Sequence, residues 1–558
     1  MNKAEFMALL REQDGTYDDE LQLIRTPMTA TYHTALKQAT HPLVHMLLEA
    51  SVYALRLLEA GDEASAARAI GILRRVVSHQ DRDPSRDTYG IWPYYYEESL
   101  DEMDRPDWNM ADFHGKQLCL ALRRHADRLP ADLVADIREA IGHACRAIMK
   151  RNVGPGYTNI AIMGAFVTLA GGELLGKEEF RLYGLARLER FYRYTMDIGT
   201  FSEYNSPCYT PIAIRELHAI LTACETAEAL AFARELTDLA WEMAGSHYHA
   251  PTAAWGGPHS RTYASLVRPD ERRFLEEAML DETFEYGENI RCPERFRPLF
   301  SAVEERSFSK PTLMASETGY QVYATLYQNE AVSLGTYSQG VMWNQRRNLI
   351  GYVDAGGKTA FVQLQFLMNG RDFCSAMYTG AQDRTRALIG FNLLTDNGAW
   401  HSDLDIINGR FRASDLRIRL LIGGETEGLT VPVAEADKTL RLRIGEQTLA
   451  VRPVYERYDE GELKAETSRG ADGTVNLDYV IYAGQERKFD FHAVERAAWL
   501  FALSLDSSGQ LPDARTEEGE YAVTATLAGD PRISIETAIA PGKTQALFAG
   551  NQARHPAF

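Results

Sequence analysis

The sequence predicts a multidomain chain, α then β: an N-terminal (α/α) toroid over residues 1–309 and a C-terminal antiparallel β-sandwich over 310–558. Two patterns predict it. Apolar residues recur at i, i+3, i+4 and i+7 through the first half of the chain. Short segments rich in Val, Ile, Tyr and Phe, several alternating with period two, replace them near residue 310. Composition agrees, since 45% hydrophobic and 25% charged residues are ordinary for a globular protein.

Taken in order, MNKAEFMALLREQDGTYDDE is charged and has no apolar run, so it does not read as a signal peptide and a cytoplasmic location is expected. HPLVHMLLEASVYALRLLEAG is an amphipathic helix closed by Gly61. AARAIGILRRVVSHQ, GKQLCLALRRHADRL and LVADIREAIGHACRAIMKR repeat the pattern. The stretch Asn152 to Gly172 is uncharged, but Pro155, Asn152, Asn159 and its glycines suit a loop leading into a buried helix better than a membrane span. Three further amphipathic segments follow, ending with ALAFARELTDLAWEMAG. Helices joined by short loops imply helix-on-helix packing, and paired helices of this size can close into a ring. NIRCPERFRPLFSAVEERSFSKP reads as the linker. Beyond it, segments from GYQVYATLYQ to RISIETAIA, punctuated by Gly, Asp and Asn, read as strands of a sandwich.

Composition also excludes functions. A net charge of −19 repels polyanions, so neither nucleic acid nor an anionic membrane is an expected partner. No GxGxxG or GxxxxGK[ST] stands at a strand-to-helix junction, which leaves dinucleotide and nucleoside triphosphate chemistry without support. Cys119, Cys145, Cys208, Cys224, Cys292 and Cys374 form no CxxC and read as reduced core thiols. His247 and His249 lie at i, i+2 without an HExxH motif, so no metal site is expected, and no organic cofactor either. Oligomeric state is left open.

Four clusters hold the candidate chemistry. The first gathers Trp92, Tyr94, Tyr95, Tyr96, Trp108, Asn109, Asp112 and His114. Flat aromatic faces beside hydrogen-bonding groups suit sugar rings, although such a loop can equally be packed interior. The second is PGYTNIAIMG, where Asn159 opens a helix and could be a cap. The third, DIGTFSEYNSPCYTP, carries Glu203, Tyr204, Asn205, Ser206 and Tyr209; Ser206 before Pro207 reads as a helix start, but a Phe-x-Glu-Tyr-Asn loop has no such structural need. The fourth, HYHAPTAAWGGPHSRTY, sets His259 and Arg261 after Trp255. The strand half adds Trp343, Asn344, Arg346 and Arg347, with Tyr378 and His401; adjacent arginines on a strand face opposite ways, so at most one reaches a given ligand.

The order of these motifs is similar to that of polysaccharide lyases built from an incomplete α/α toroid and antiparallel β domains: the chondroitin, hyaluronate and xanthan lyases, and more loosely the heparinase II/III and alginate lyases. In that resemblance an Asn at a helix start is followed by a loop leading to a catalytic Tyr, then by an Arg in a Gly-rich turn. Here Asn159, Tyr209 and Arg261 stand in that order, fifty and fifty-two residues apart. The resemblance implies β-elimination from a uronate. Asn159 and Arg261 would neutralise the carboxylate, with Arg346 or Arg347 in support, and Tyr209 would serve as base and acid. The chain departs from the pattern where chondroitin-type lyases carry a catalytic His: it has Tyr204, so either His259 takes that role, or Tyr209 acts alone, or the chemistry differs. The expected partner is an acidic oligosaccharide or polysaccharide. Trp92, Tyr95, Trp108, Asn109, Asp112, His114, Asn205, Trp255, Trp343, Asn344, Arg346 and Arg347 are the substrate-binding candidates. The alternatives are a glycoside hydrolase using Glu203 with Asp112, Glu97 or Glu98, a uronate epimerase sharing the elimination residues, and a non-catalytic sugar binder.

Overall fold

The structure is a computed structural model that describes residues 3–29, 33–280, 290–315, 320–397, 407–528 and 533–555. The chain divides into two units, each non-contiguous in sequence. One comprises Met1–Asp197, Pro211–Trp241 and Arg272–Pro293, the other Ile198–Thr210, Glu242–Glu271 and Glu294–Phe558. The boundary expected at 309/310 falls inside the first long strand, Arg306–Ala315. Two loops that sequence periodicity assigns to the helical half group instead with the strands.

The first unit is helical. Helix α1 (Lys3–Asp14) precedes α2 (Leu47–Ala60), which ends at Gly61 with φ of 91°. Asp62 caps α3 (Glu63–Ser78) by accepting the Ser65 N–H at 2.9 Å. Helix α4 (Met110–His125) packs on α2, on α5 (Ala131–Arg151) and on α6 (Thr158–Leu175). The uncharged stretch is thus a short loop followed by α6, where every residue from Thr158 to Gly172 is buried. Helix α6 is long and apolar enough to cross a membrane, but its surroundings are protein. Its Gly172 lets α7 (Glu178–Ile198) approach closely, because a Cβ there would meet the Arg181 backbone nitrogen at 2.4 Å. Helices α8 (Tyr209–Ala223) and α9 (Ala227–His247) follow, each beginning or ending in the other unit.

The second unit is antiparallel β. The largest sheet runs in the order Lys464–Arg469, Val475–Asp490, Arg410–Gly424, Thr359–Met368, Leu349–Asp354, Val332–Tyr337, Tyr320–Gln328, Arg306–Ala315. A second sheet runs Gln339–Val341, Ala376–Asp383, Arg386–Leu393, Ala497–Asp506, Gln447–Tyr458, Leu440–Ile444. One hydrophobic cluster joins Leu334, Val362, Ile418 and Leu477 of the first to Ile389, Phe391, Phe501 and Leu503 of the second, so the two sheets face each other across a shared core. A third sheet, built from residues 514–554, was not anticipated. Its Val523, Ala525 and Ile535 pack on Leu388, Leu500 and Ala502, the outward-pointing residues of the second sheet. All six cysteines are buried thiols. His401 lies outside the described residues.

Candidate active site

Within the second unit, two loops are fastened to each other and to the sheet. Asn205 holds the first in a left-handed conformation, φ 49°, which Asn tolerates better than most residues. Its amide donates to the carbonyls of Gly256 at 2.7 Å and Pro258 at 2.9 Å, and its oxygen accepts the Trp255 indole N–H at 2.6 Å. Ser206 accepts the Tyr209 N–H at 3.2 Å, which starts α8, and donates to the Arg261 carbonyl at 2.5 Å. The second loop pairs with the sheet through His259 and Arg347, whose N–H groups donate to each other's carbonyls at 3.2 and 3.0 Å. The Thr262 N–H adds a bond to the Gln345 carbonyl at 2.7 Å.

This frame presents a cluster of Tyr209, Arg261, Tyr263, Glu203, Gln345 and Trp343. The Tyr209 and Tyr263 hydroxyls are 2.6 Å apart. The Arg261 guanidinium lies over the Tyr209 ring, 4.4 Å from its centroid, and 5.8 Å from the Trp343 ring. Its Nε donates to Gln345 Oε1 at 2.8 Å, Nη2 to the Tyr263 hydroxyl at 3.1 Å, and Nη1 pairs with Glu203 at 3.4 Å. The Tyr263 oxygen thus accepts from Arg261 while sharing a proton with Tyr209. Either phenol can donate to the other, and the charge that favours a Tyr209 phenolate is that of Arg261. Burial pushes the Tyr209 phenol well above its ordinary value, and Arg261 opposes that push. Tyr263 is half exposed, at 51%. Sequence reasoning missed Tyr263 and Gln345. Tyr263 was legible, since i, i+2 residues on an extended segment share a face and it stands two after Arg261.

The histidines do not join this cluster. His259 is buried, donates through Nδ1 to the Asn205 carbonyl at 2.8 Å, and is pushed down to about 3 by burial. It holds the loop and is uncharged at neutral pH. His247 donates through Nδ1 to the Met243 carbonyl at 2.7 Å and accepts the Tyr204 hydroxyl at 2.6 Å through Nε2. Tyr204 is thereby buried, with its hydroxyl committed to His247. His249 has both ring nitrogens engaged, with Thr252 at 2.7 Å and the Asn329 carbonyl at 2.6 Å. Asn205 and Trp255 are equally enclosed and bind the loops rather than a sugar. Tyr378 is sealed in the sandwich with its hydroxyl on Thr336. Asn344 lies partly exposed beside Trp343, while Arg347 is buried and donates to the Asn344 carbonyl at 2.7 Å.

The first cluster lies in the helical unit and is largely interior. Trp92 is fully buried, donates to the Val76 carbonyl at 2.9 Å and stacks on His114, so neither ring has a face for a sugar. His114 is pushed down to about 3 by burial, and Tyr95 is buried as well. Trp108 is the exception, at 37% exposure. Asn109 accepts from Arg151 at 2.6 Å. Asp112 is buried; burial raises its carboxyl to about 7 against the pull of Arg187 and Arg151, and its Oδ1 has no hydrogen-bond partner. Asn159 occupies the second position of α6 rather than its cap, and its Oδ1 is also buried without a partner. Glu97 is held by His45 at 2.5 Å, and Glu98 by Thr34 and the Ala35 N–H. Of the three carboxylates suggested as hydrolase partners, Glu97 and Glu98 are therefore in structural use.

A family model described as a domain of unknown function (DUF8769) matches residues 9–269. No curated protein matches the chain. Among solved structures, the chain is similar to a Streptomyces coelicolor A3 chondroitin AC lyase in complex with chondroitin sulphate, at 11% identity and a TM-score of 0.48, covering 96% of this chain and 84% of that one. It is similar to heparinase III at 11% identity and a TM-score of 0.42, covering 88% and 82%. A Paenibacillus xanthan lyase gives 9% identity and a TM-score of 0.44, covering 96% of this chain and 61% of that one.

Proposed function

We propose that the protein is a glycan lyase acting on an acidic oligosaccharide by β-elimination, with its helices arranged as an α/α toroid. The observation that carries this is the short contact between the Tyr209 and Tyr263 hydroxyls beneath Arg261. Elimination from a uronate removes the hydrogen at C5 and expels the oxygen at C4. The Tyr209 phenolate, supported by the Arg261 cation over its ring, takes the C5 proton. The electron pair moves through the enolate to form the C4–C5 double bond, and the leaving oxygen takes a proton from the Tyr209–Tyr263 pair. Glu203 fixes the Arg261 fork in this account, which makes it a positioning residue. Trp343 offers an aromatic face beside the cation.

The test is an ultraviolet absorbance screen over uronate-containing oligosaccharides. A rising absorbance from the new conjugated double bond is expected, lost in Tyr209→Phe. New reducing ends without that absorbance, dependent on Glu203, would replace elimination with hydrolysis. The motif resemblance also assigns carboxylate neutralisation to Asn159, and Asn159→Ala tests that in the same assay.

A further inference from the structure

Arg346 lies in the same turn as Trp343, its N–H donating to the Trp343 carbonyl at 2.9 Å. Its flanking residues are both in use: Gln345 accepts from Arg261, and Arg347 donates to the Asn344 carbonyl and faces Asp372. The Arg346 guanidinium, among the described residues, makes neither an ion pair nor a hydrogen bond, and its Nε is sealed from solvent with nothing to donate to. Tyr337, at 4% exposure, has a buried hydroxyl that is likewise without a partner. The two groups sense each other, since Arg346 pulls the Tyr337 phenol down against the upward push of burial. The Tyr337 ring packs edge-on against Tyr204, 6.4 Å between centroids, so the pair adjoins the loop that carries Glu203 and Tyr209.

A partly buried cation without a counter-ion is costly, and so is a buried hydroxyl without an acceptor. The chain has 78 acidic residues, yet no described carboxylate sits on Arg346. Two adjacent unsatisfied donors, one a planar charged fork and one an O–H, are complementary to an oxyanion and not to a cation or an apolar group. We propose that Arg346 and Tyr337 form a binding site for the oxyanion of an acidic sugar, a carboxylate or a sulfate ester. The identity of the ligand as a sugar rests on the glycan-lyase reading; the oxyanion site itself rests on the two orphaned donors.

The experiment titrates the full chain with sodium glucuronate, glucose 6-sulfate and neutral glucose, following tryptophan fluorescence, for the unaltered protein, Arg346→Gln and Tyr337→Phe. One acidic sugar is expected to bind and glucose to give no response, and which acid binds identifies the oxyanion. Binding should weaken by about tenfold in Tyr337→Phe and by more in Arg346→Gln. Melting temperatures should hold in both, because neither substitution breaks a side-chain hydrogen bond or ion pair within the protein. Equal binding in all three proteins, or binding lost only together with a fall in melting temperature, overturns the proposal. Binding that depends on Arg346 without any unsaturated product keeps this site and removes the elimination reading. Elimination with an unchanged KM in both variants does the reverse.

Discussion

The side-chain amide of Asn205 satisfies two carbonyls and an indole on the neighbouring loop from a left-handed backbone position. Asn205→Ala strands all three and places a less tolerant residue at φ 49°. A loss of about 3 kcal/mol in urea denaturation is expected, with turnover falling further because Tyr209 and Arg261 are set by the same loops. At Tyr209, removing the hydroxyl should lower kcat by about 10³-fold while leaving the melting temperature in place, as steady-state kinetics and a thermal melt on one preparation can show. The pH dependence follows from the raised phenol. Its base form is scarce at neutral pH and grows tenfold per unit, so log kcat/KM should climb with a slope near one from pH 7 to 9. His259, pushed down to about 3, adds no limb near 6.5; a bell centred there would point to a different base.

At the scale of elements, the 256–258 turn lies directly on the strand Val332–Tyr337. A Cβ on Gly335 would stand 2.0 Å from the Gly257 carbonyl oxygen, and neither partner is a flexible side-chain tip. Gly335→Ala should cost about 3 kcal/mol or more and detach the loop that carries Arg261, measured as a lower melting temperature with activity lost beyond the unfolded fraction. The α-then-β order was legible because both periodicities are local: α6 announces itself by a long uncharged run, and Leu440–Ile444 by strict alternation. The third sheet was not legible, because its partner strand Ala497–Asp506 is buried on both faces and shows no polar side to mark what covers it. The same limit hid the roles of Trp92, His114 and Trp255. An aromatic beside a polar residue has one composition whether it greets a sugar or closes a core.

The whole molecule carries its histidines as an acid-sensitive load. His114, His247 and His259 all sit near 3 in the fold, against an ordinary 6.5. Unfolding lets each take up a proton, so the stability they allow is full above 6.5 and is lost as pH falls toward 3. Asp112, raised to about 7, works the other way by holding a proton that the unfolded chain gives up above 4. His555, pushed down to about 4, adds a fourth, and four against one leaves a net loss of about 5 kcal/mol between pH 6.5 and 5, which urea titrations at the two pH values can measure. His114→Gln should flatten that slope by a third or more. The site was legible in part at this scale. Motif order singled out Tyr209 and Arg261, whose side chains lie together, but the unit to which their loops belong depends on Asn205, Gly335 and the 259/347 pairing, contacts that no local pattern encodes.

The interleaving of the two units has a consequence for the order in which the chain is made. Loop Ile198–Thr210 leaves the ribosome well before Arg347, the residue on which the second loop closes. At about 5–20 residues per second, the wait is on the order of ten to thirty seconds. During it the nascent chain displays Phe201, Tyr204 and Trp255, later buried, with no sheet to shelter them. Helices α8 and α9 can form on schedule, but their Tyr209 and His247 ends stay unanchored until the strands arrive.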